Sequence, residues 1–307
     1  MERRQFLKAS LNSLACISFP GLLGWSTQVV AQQHIYNVVI ARVDRPSMTG
    51  GRTLIPFWQY IDVATGRPLE MNALTGDTVI INLQNNLSLP VNLIVPGLMD
   101  DAPDCPPLGV QTYTFVAPSS PGSFVFFDVR NGLTGRAMGL SGSLVVRPAD
   151  GINRLYNGGP TYDREHSVLL QEVDTRHNLA VDSGVFFDLD NYEPDYFYVN
   201  GISYGADRVQ LMMGLGEDVA IRFINAGLIF YPMHFHGYHV NVVTRNRFPE
   251  TGVISKDTVL VKTNECVEVI LPVGQQAGLY PLHSHFVPAV TNNGLYPGGG
   301  LIMLNAG

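Results

Sequence analysis

The alternation of short apolar runs with turn residues limits this chain to a β-rich fold. From Ile35 onward, β-branched and aliphatic runs such as 37–43 and 78–83 are separated by Gly, Pro, Asn and Asp. This pattern predicts strands joined by tight turns. Apolar residues make up 46% of the chain and charged residues 15%, so a packed core is expected rather than disorder. No segment of sufficient length shows the helical period, and an all-β fold is predicted.

The strand pattern occurs twice along the chain. The first copy spans the predicted strands 37–43, 75–83, 111–116, 122–129 and 141–146, and the second begins at 166–172. Residues 216–223 repeat the Gly-Asp strand of the first copy, and 278–285 repeat 122–129. We therefore predict two Greek-key β-sandwich domains, residues 32–148 and 165–307, joined by a linker over 149–164 that is rich in Gly, Asn and Pro.

Residues 1–31 have the features of an export signal. A charged start precedes an apolar stretch that Pro20 and Gly21 interrupt, which disfavours a membrane-spanning helix. The run Arg3-Arg4-Gln5-Phe6-Leu7-Lys8 resembles the twin-arginine consensus of proteins exported in the folded state. The sequence thus predicts a periplasmic protein; an ordinary secretory signal with a chance arginine pair is the alternative.

Charge and cysteine content exclude two further classes of protein. The net charge is −7 and no cluster of Lys or Arg follows the first residues, so nucleic-acid binding is not expected. Three cysteines without CxxC spacing do not make a disulfide framework. Whether Cys105 and Cys266 pair is left open by the sequence.

Four of the eight histidines lie in two His-x-His triplets, His234/His236 and His283/His285. Because side chains alternate along a strand, both histidines of a triplet share one face. If the two strands pair or face one another, four imidazoles converge on one small volume, a donor set suited to Cu(II), Zn(II) or Ni(II). One ion or two ions are both compatible with this set, and four separately satisfied histidines are the non-metal alternative.

Four segments resemble, in order, the terminal domain of multicopper oxidases: 216–227, 231–237, 256–261 and 278–285. The first domain is similar at Gly76-Asp77-Thr78 and at Gly139-Leu140-Ser141-Gly142. The resemblance implies two tandem cupredoxin-like domains with copper as the cofactor. It implies that His234 is a type 2 copper ligand and that His236, His283 and His285 are type 3 ligands of a cluster that reduces dioxygen.

The chain departs from the family at the type 1 (blue) copper site, which needs two imidazoles and a thiolate. Tyr231 stands at the first histidine, Ser284 at the cysteine, Ala289 at the next ligand and Gly294 near the axial one.

The first domain departs as well. It reads Ile94-Val95-Pro96-Gly97 and Phe127-Asp128-Val129 where the family has histidine motifs. Asp128 is the one residue there with a ligating oxygen, and a surface or turn role is expected for it.

These features favour a copper-dependent oxidoreductase without type 1 copper, using dioxygen and a small oxidisable donor or Cu(I). Tyr231, which precedes the first histidine triplet, is the candidate residue on the substrate side, and core packing with a hydrogen-bonded hydroxyl is the favoured interpretation for it. The alternative functions are a non-catalytic cupredoxin scaffold and copper binding for tolerance. Two-domain relatives form trimers with copper at their interfaces, so the resemblance also allows a homotrimer.

Overall fold

The computed structural model describes residues 31–46, 54–205 and 208–307, and the predicted signal peptide lies outside them except for Ala31. Strands are the main regular structure of the described chain, and its helices are short, which confirms the all-β prediction. No helix in these ranges has the length and apolar character needed to cross a membrane.

The first half of the chain forms one sandwich. Its strands lie in two sheets with the orders β3-β2-β1-β5-β6 and β4-β8-β7, in which β1 and β5, and β4 and β8, pair in parallel across long connections. The elements are β1 (Gln33–Pro46), β2 (Leu54–Asp62), β3 (Arg67–Pro68), β4 (Glu70–Leu74), β5 (Thr78–Asn85), β6 (Val110–Val116), β7 (Gly122–Phe127), α1 (Gly132–Ala137) and β8 (Ser141–Arg147).

The second half forms a second sandwich with the sheet orders β10-β9-β12-β17-β14-β15 and β11-β19-β18-β13-β16. The elements are β9 (Arg164–Val173), α2 (Thr175–Asp182), β10 (Tyr196–Val199), β11 (Val209–Met213), β12 (Asp218–Asn225), β13 (Tyr231–Phe235), β14 (Val240–Arg245), β15 (Phe248–Lys256), β16 (Thr258–Val261), β17 (Cys266–Pro272), β18 (Gly278–Ser284) and β19 (Ile302–Ala306).

The spacing of apolar residues in the sequence does not predict helix α2. Asp174 caps it by accepting hydrogen bonds from the backbone N–H groups of Arg176 and His177. Only eight residues long, the helix is too short for a periodic apolar face, and its stability comes from the cap and from burial of His177 and Asn178.

Each sandwich has its own apolar core, and a smaller cluster joins them. Val125 and Val145 of the first sandwich pack against Leu169, Ile224 and Cys266 of the second. This contact explains why β12 is buried over nearly its whole length rather than on alternate residues: one face covers the second core and the other covers the first sandwich.

A buried ionic network lies beside this contact. Arg222 is 0% exposed and binds Glu165 at 2.8 Å and Glu268, which is itself 1% exposed. The Glu268 carboxylate also accepts hydrogen bonds at 2.6 Å from the Ser123 hydroxyl of the first sandwich and from the Thr244 hydroxyl. Every charge in this network is therefore paired, and Ser123 connects it to the other sandwich.

The two described cysteines are free thiols. Cys105 lies in the first core and Cys266 in the cluster between the sandwiches, and both are buried. Burial raises the pKa of each thiol, so neither is a reactive thiolate. The disulfide that the sequence left open does not form.

Among the described residues, Arg222 is the only cation paired with Glu268, so Arg222→Met leaves a buried carboxylate without a cation. We expect the free energy of unfolding, measured with urea at pH 7, to fall by about 3 to 5 kcal/mol. Glu217→Gln is the control, because Glu217 pairs with Arg164 on an exposed surface and its loss should change stability little. A loss of less than about 1 kcal/mol for Arg222→Met would contradict the assigned role.

Candidate metal centre

The pairing of β13 with β18 determines where the histidines point. The two strands are antiparallel, with His234 directly opposite His283 and Met233 opposite Ser284. Tyr231, Met233 and Phe235 are 1% exposed or less and fill the second core. By alternation, His234 and His283 lie on the outer face of the sheet, where both are partly exposed.

His236 and His285 follow their strands directly and continue the ladder. The backbone N–H of His236 donates to the carbonyl of Pro281 at 2.9 Å, and that of His285 donates to Pro232 at 2.8 Å. These bonds keep both residues in register with the strands, so their side chains stay on the outer face, where they are exposed.

The structure brings the four imidazoles of the two triplets together. The centroid of the His234 ring lies 4.9 Å from that of His236, 5.8 Å from His283 and 4.5 Å from His285. The His283 ring lies 5.0 Å from His236 and 5.4 Å from His285. We call these four residues the imidazole cluster.

Hydrogen bonds within the cluster assign the tautomers of two rings. His283 Nδ1 lies 3.0 Å from the carbonyl oxygen of Ser284, which can only accept, so this nitrogen carries the proton. In neutral His283 the Nε2 atom is therefore an acceptor. His236 Nε2 lies 2.9 Å from it and must donate the hydrogen bond.

His234 is also held through its Nδ1 atom, which lies 3.0 Å from the Thr258 hydroxyl and 4.0 Å from a carboxylate oxygen of Asp257. Its Nε2 atom has no protein partner within the described residues. Orientation of an imidazole by a hydrogen bond to one nitrogen, with the other nitrogen left available, is the usual arrangement of a metal ligand. His239 lies outside the cluster and is exposed.

The cluster fits a metal in its chemistry and needs a small rearrangement to bind one. Four neutral imidazoles suit copper, and the Nε2 atom of His234 has no hydrogen-bond partner among the described residues. In the described part of the chain, no three His, Cys, Asp or Glu side chains already surround one common point. The hydrogen bond between His236 and His283 must open before the Nε2 atoms of both residues can bind one ion.

The prediction that Tyr231 faces a substrate is wrong. Tyr231 is three residues from His234, and an odd spacing places the two side chains on opposite faces of β13. The ring is 1% exposed, and its hydroxyl donates to the carboxylate of Glu172 at 2.5 Å. Core packing with a satisfied hydroxyl, the favoured role, is the one observed.

The other residues that stand at type 1 copper ligand positions, Ser284, Ala289 and Gly294, lie in the core or in a turn. The Ser284 side chain is buried and accepts a hydrogen bond from the backbone N–H of Phe286 at 3.1 Å. Ala289 is fully buried in the second core, and Gly294 lies in an exposed turn with φ of 80°. These positions thus have structural roles in this chain.

Asp128 is not the surface group that the sequence predicted, although it does belong to a turn. It is 1% exposed, and its carboxylate accepts hydrogen bonds from the backbone N–H groups of Asn92 and Asn131 and from the Asn131 amide. Burial raises the pKa of the carboxyl, and these donors oppose the rise. With its oxygens used in this way, Asp128 does not act as a ligand.

Sequence reasoning missed Thr258 and Glu172. Thr258 contacts His234 only because β16 pairs with β13, where His234 lies opposite Thr258. Glu172 meets Tyr231 from the other sheet, and burial raises its pKa above the ordinary value. No local signal marks either contact, since both depend on sheet order.

Comparison with known proteins gives one family and several related structures. The multicopper oxidase family model matches residues 177–296, a range that includes the whole imidazole cluster. A sequence search of curated proteins gave no match.

Among solved structures, the blue copper oxidase of Nitrosomonas europaea is similar at 21% identity, with a TM-score of 0.76 over 90% of this chain and 86% of that one. The multicopper oxidase mgLAC is 23% identical, with a TM-score of 0.72 over 90% and 86% of the two chains. The copper nitrite reductase of Nitrosomonas europaea is 18% identical, with a TM-score of 0.67 over 89% and 94%. At these identities the structures establish the fold.

In the metal-free protein we expect the pKa of His236 to lie below the ordinary value of histidine. Partial burial is the main cause, and the imidazoles of His283, His234 and His285 add to it. Protonation is then disfavoured in the folded state, so the folded protein loses stability as the pH falls through the ordinary histidine range. NMR titration of the ring nitrogens measures this pKa, and His283→Asn should raise it. A value at or above that of a free imidazole would contradict the assignment.

Proposed function

We propose that this chain, which belongs to the multicopper oxidase superfamily, binds copper through His234, His236, His283 and His285 and acts as an oxidoreductase. Copper is the cofactor of this superfamily. The observation that carries the proposal is the convergence of four imidazoles on one outer sheet face, with two of them oriented through Nδ1.

The proposed site contains histidine ligands only and no type 1 copper. Tyr231, Ser284 and Ala289 supply neither the imidazoles nor the thiolate of a blue site, and all three are buried in other contacts. Electrons must then come directly from a donor at the cluster. When bound, copper would supply one-electron exchange between this donor and dioxygen.

The chain's own groups define how a donor approaches. His236 and His285 are exposed, so a small molecule reaches the cluster from solvent without a tunnel. Alternation places Pro281 and Leu279 of β18 on the same face as His283, and Leu260 of β16 on the other side of His234. Leu279 is 52% exposed and Leu260 is 39% exposed. This apolar border favours a small aromatic donor such as a phenol, with a thiol or Cu(I) as the other candidates.

The hydrogen bond between His236 and His283 affects how copper binds. Binding of an ion to both residues requires His236 to give up its Nε2 proton or to carry it on Nδ1 instead. Because protons compete with copper for the imidazole nitrogens, copper binding should become weaker as the pH falls.

One observation favours a second candidate, a non-catalytic scaffold. The same hydrogen bond satisfies both histidines within the protein, and the described chain presents no ready-made three-ligand site. Copper binding for tolerance, without turnover, is a third candidate that shares the copper site with the oxidoreductase and the lack of catalysis with the scaffold.

For location, the twin-arginine-like start supports export to the periplasm. For assembly, a homotrimer stays a prediction that the superfamily resemblance carries.

Replacement of His234 or His283 by Ala should abolish copper binding, because each removes an oriented ligand from the centre of the cluster. His239→Ala is the matched control and should bind as the unmodified protein does. Metal analysis after export in copper-replete cells and electron paramagnetic resonance provide the readout. We expect near-stoichiometric copper with nitrogen hyperfine splitting and no blue absorption band. Protein that folds equally well without copper and is unaffected by either substitution would support the scaffold.

Oxygen uptake separates an oxidase from a tolerance protein. Copper-loaded protein should consume dioxygen with a phenol, a thiol or Cu(I) as donor, and His283→Ala should not. Tyr231→Phe should retain turnover because its ring faces the core, while loss of its bond to buried Glu172 should lower stability by about 1 to 3 kcal/mol. Copper binding without oxygen uptake would support the tolerance role, and loss of turnover in a folded, copper-loaded Tyr231→Phe variant would contradict the assigned orientation.

A further inference from the structure

A small cavity of about 20 Å³ lies between the two sandwiches, away from the outer sheet face that carries the imidazole cluster. Its walls include Arg45 of β1, Arg136 of α1, Glu172 of β9 and Tyr198 of β10. A volume of this size holds one or two water molecules or one small ion.

The Tyr198 hydroxyl is a buried polar group that has no partner among the described residues. The residue is 5% exposed, and its hydroxyl oxygen has no hydrogen bond within the described chain. Leaving a buried hydroxyl without a hydrogen bond costs about 1 to 3 kcal/mol. Tyr198 is one of the residues that line the cavity, so an acceptor bound there would satisfy this hydroxyl.

Arg45 contributes a cation for which the described residues provide no counter-ion. Its guanidinium stacks on the rings of Phe57 at 4.7 Å and Tyr198 at 5.6 Å. Its one hydrogen bond among the described residues is a long one, 3.5 Å, to the carbonyl of Gly201, and in the same ranges no carboxylate lies within ion-pair distance. Burial lowers the pKa of this guanidinium, as expected for a cation without a counter-ion.

The remaining charges on the wall do not neutralise Arg45. Arg136 donates to the carbonyls of Ala226 at 2.7 Å and Gly227 at 2.5 Å. Glu172 is the one carboxylate among the cavity-lining residues, and it already accepts from Tyr231 and from the backbone N–H of Leu228. Two guanidinium groups and one carboxylate leave the wall with an excess positive charge. Burial lowers the pKa of Arg136 to about 10.

We propose that this cavity binds one small monovalent anion of the halide type, held by the Tyr198 hydroxyl and the Arg45 guanidinium. A water molecule would satisfy the hydroxyl but would leave the partly buried Arg45 guanidinium without a counter-ion. A halide satisfies both requirements and fits the volume. Because walls from both sandwiches enclose it, the ion stabilises their contact in the folded protein.

The experiment is thermal unfolding of the exported, full-length mature protein in sodium chloride or bromide. Sodium gluconate at the same ionic strength is the reference, because gluconate is too large for the cavity. We expect a saturable rise of Tm with halide in the unmodified protein, as for any ligand that binds only the folded state. Tyr198→Phe and Arg45→Gln should each raise the apparent halide Kd at least tenfold.

Two comparisons keep the outcome unambiguous. In gluconate, Tyr198→Phe should be at least as stable as the unmodified protein, because it removes a hydroxyl without a partner. Tyr113→Phe is the matched control: its buried hydroxyl donates to the Pro103 carbonyl at 2.9 Å in the first sandwich. This variant should lose stability in every salt and keep the halide Kd.

A crystal soaked in bromide should show one anomalous peak between the Tyr198 hydroxyl and the Arg45 guanidinium. Equal Tm values in halide and gluconate would show that water alone fills the cavity and would overturn the proposal. A halide effect that both cavity variants retain, or a bromide peak elsewhere, would also overturn it.

Discussion

The antiparallel register of β13 and β18 is the constraint on which the functional account depends. His234 faces His283 across the pair, and the backbone bonds from His236 to Pro281 and from His285 to Pro232 extend the same register. Met233 and Phe235, on the opposite face, are locked into the second core. A shift by one residue would bury the imidazoles and expose these core residues, so packing of the core holds the cluster in place.

The same two-residue period explains what the sequence could predict. It located most strands within a few residues, the repeated sandwich pattern and the common face of each His-x-His triplet. Convergence of the two triplets required the additional fact that β13 and β18 are neighbours, which comes from sheet order and which the sequence supported only through resemblance. Thr258 and Glu172 were missed for this reason, since each meets its partner across a strand pair or between sheets.

Where the structure differs from the sequence-based predictions, the cause lies in the local surroundings of each residue. Closeness in sequence to His234 makes Tyr231 a candidate for the substrate side, but the odd spacing between them places its ring in the core. A surface or turn role is expected for Asp128 because a lone carboxylate usually has one, and its burial depends on three donors from Asn92 and Asn131. Helix α2 is set by the Asp174 cap, a signal that carries little weight in a segment of eight residues.

The polar groups of the second sandwich serve two separate purposes. Arg222 with Glu165 and Glu268, and Glu172 with Tyr231, are enclosed and paired, so they hold sheets and sandwiches together. The imidazole cluster is open to solvent and is paired only in part, which suits groups that exchange protein hydrogen bonds for a metal ion.

X-ray absorption at the copper edge tests this assignment most directly, by counting the ligands of copper in the loaded protein. We expect copper to be bound by three or four imidazole nitrogens of the cluster and by no sulfur. Sulfur in the first coordination sphere, or copper bound equally well after removal of His234 and His283, would contradict it.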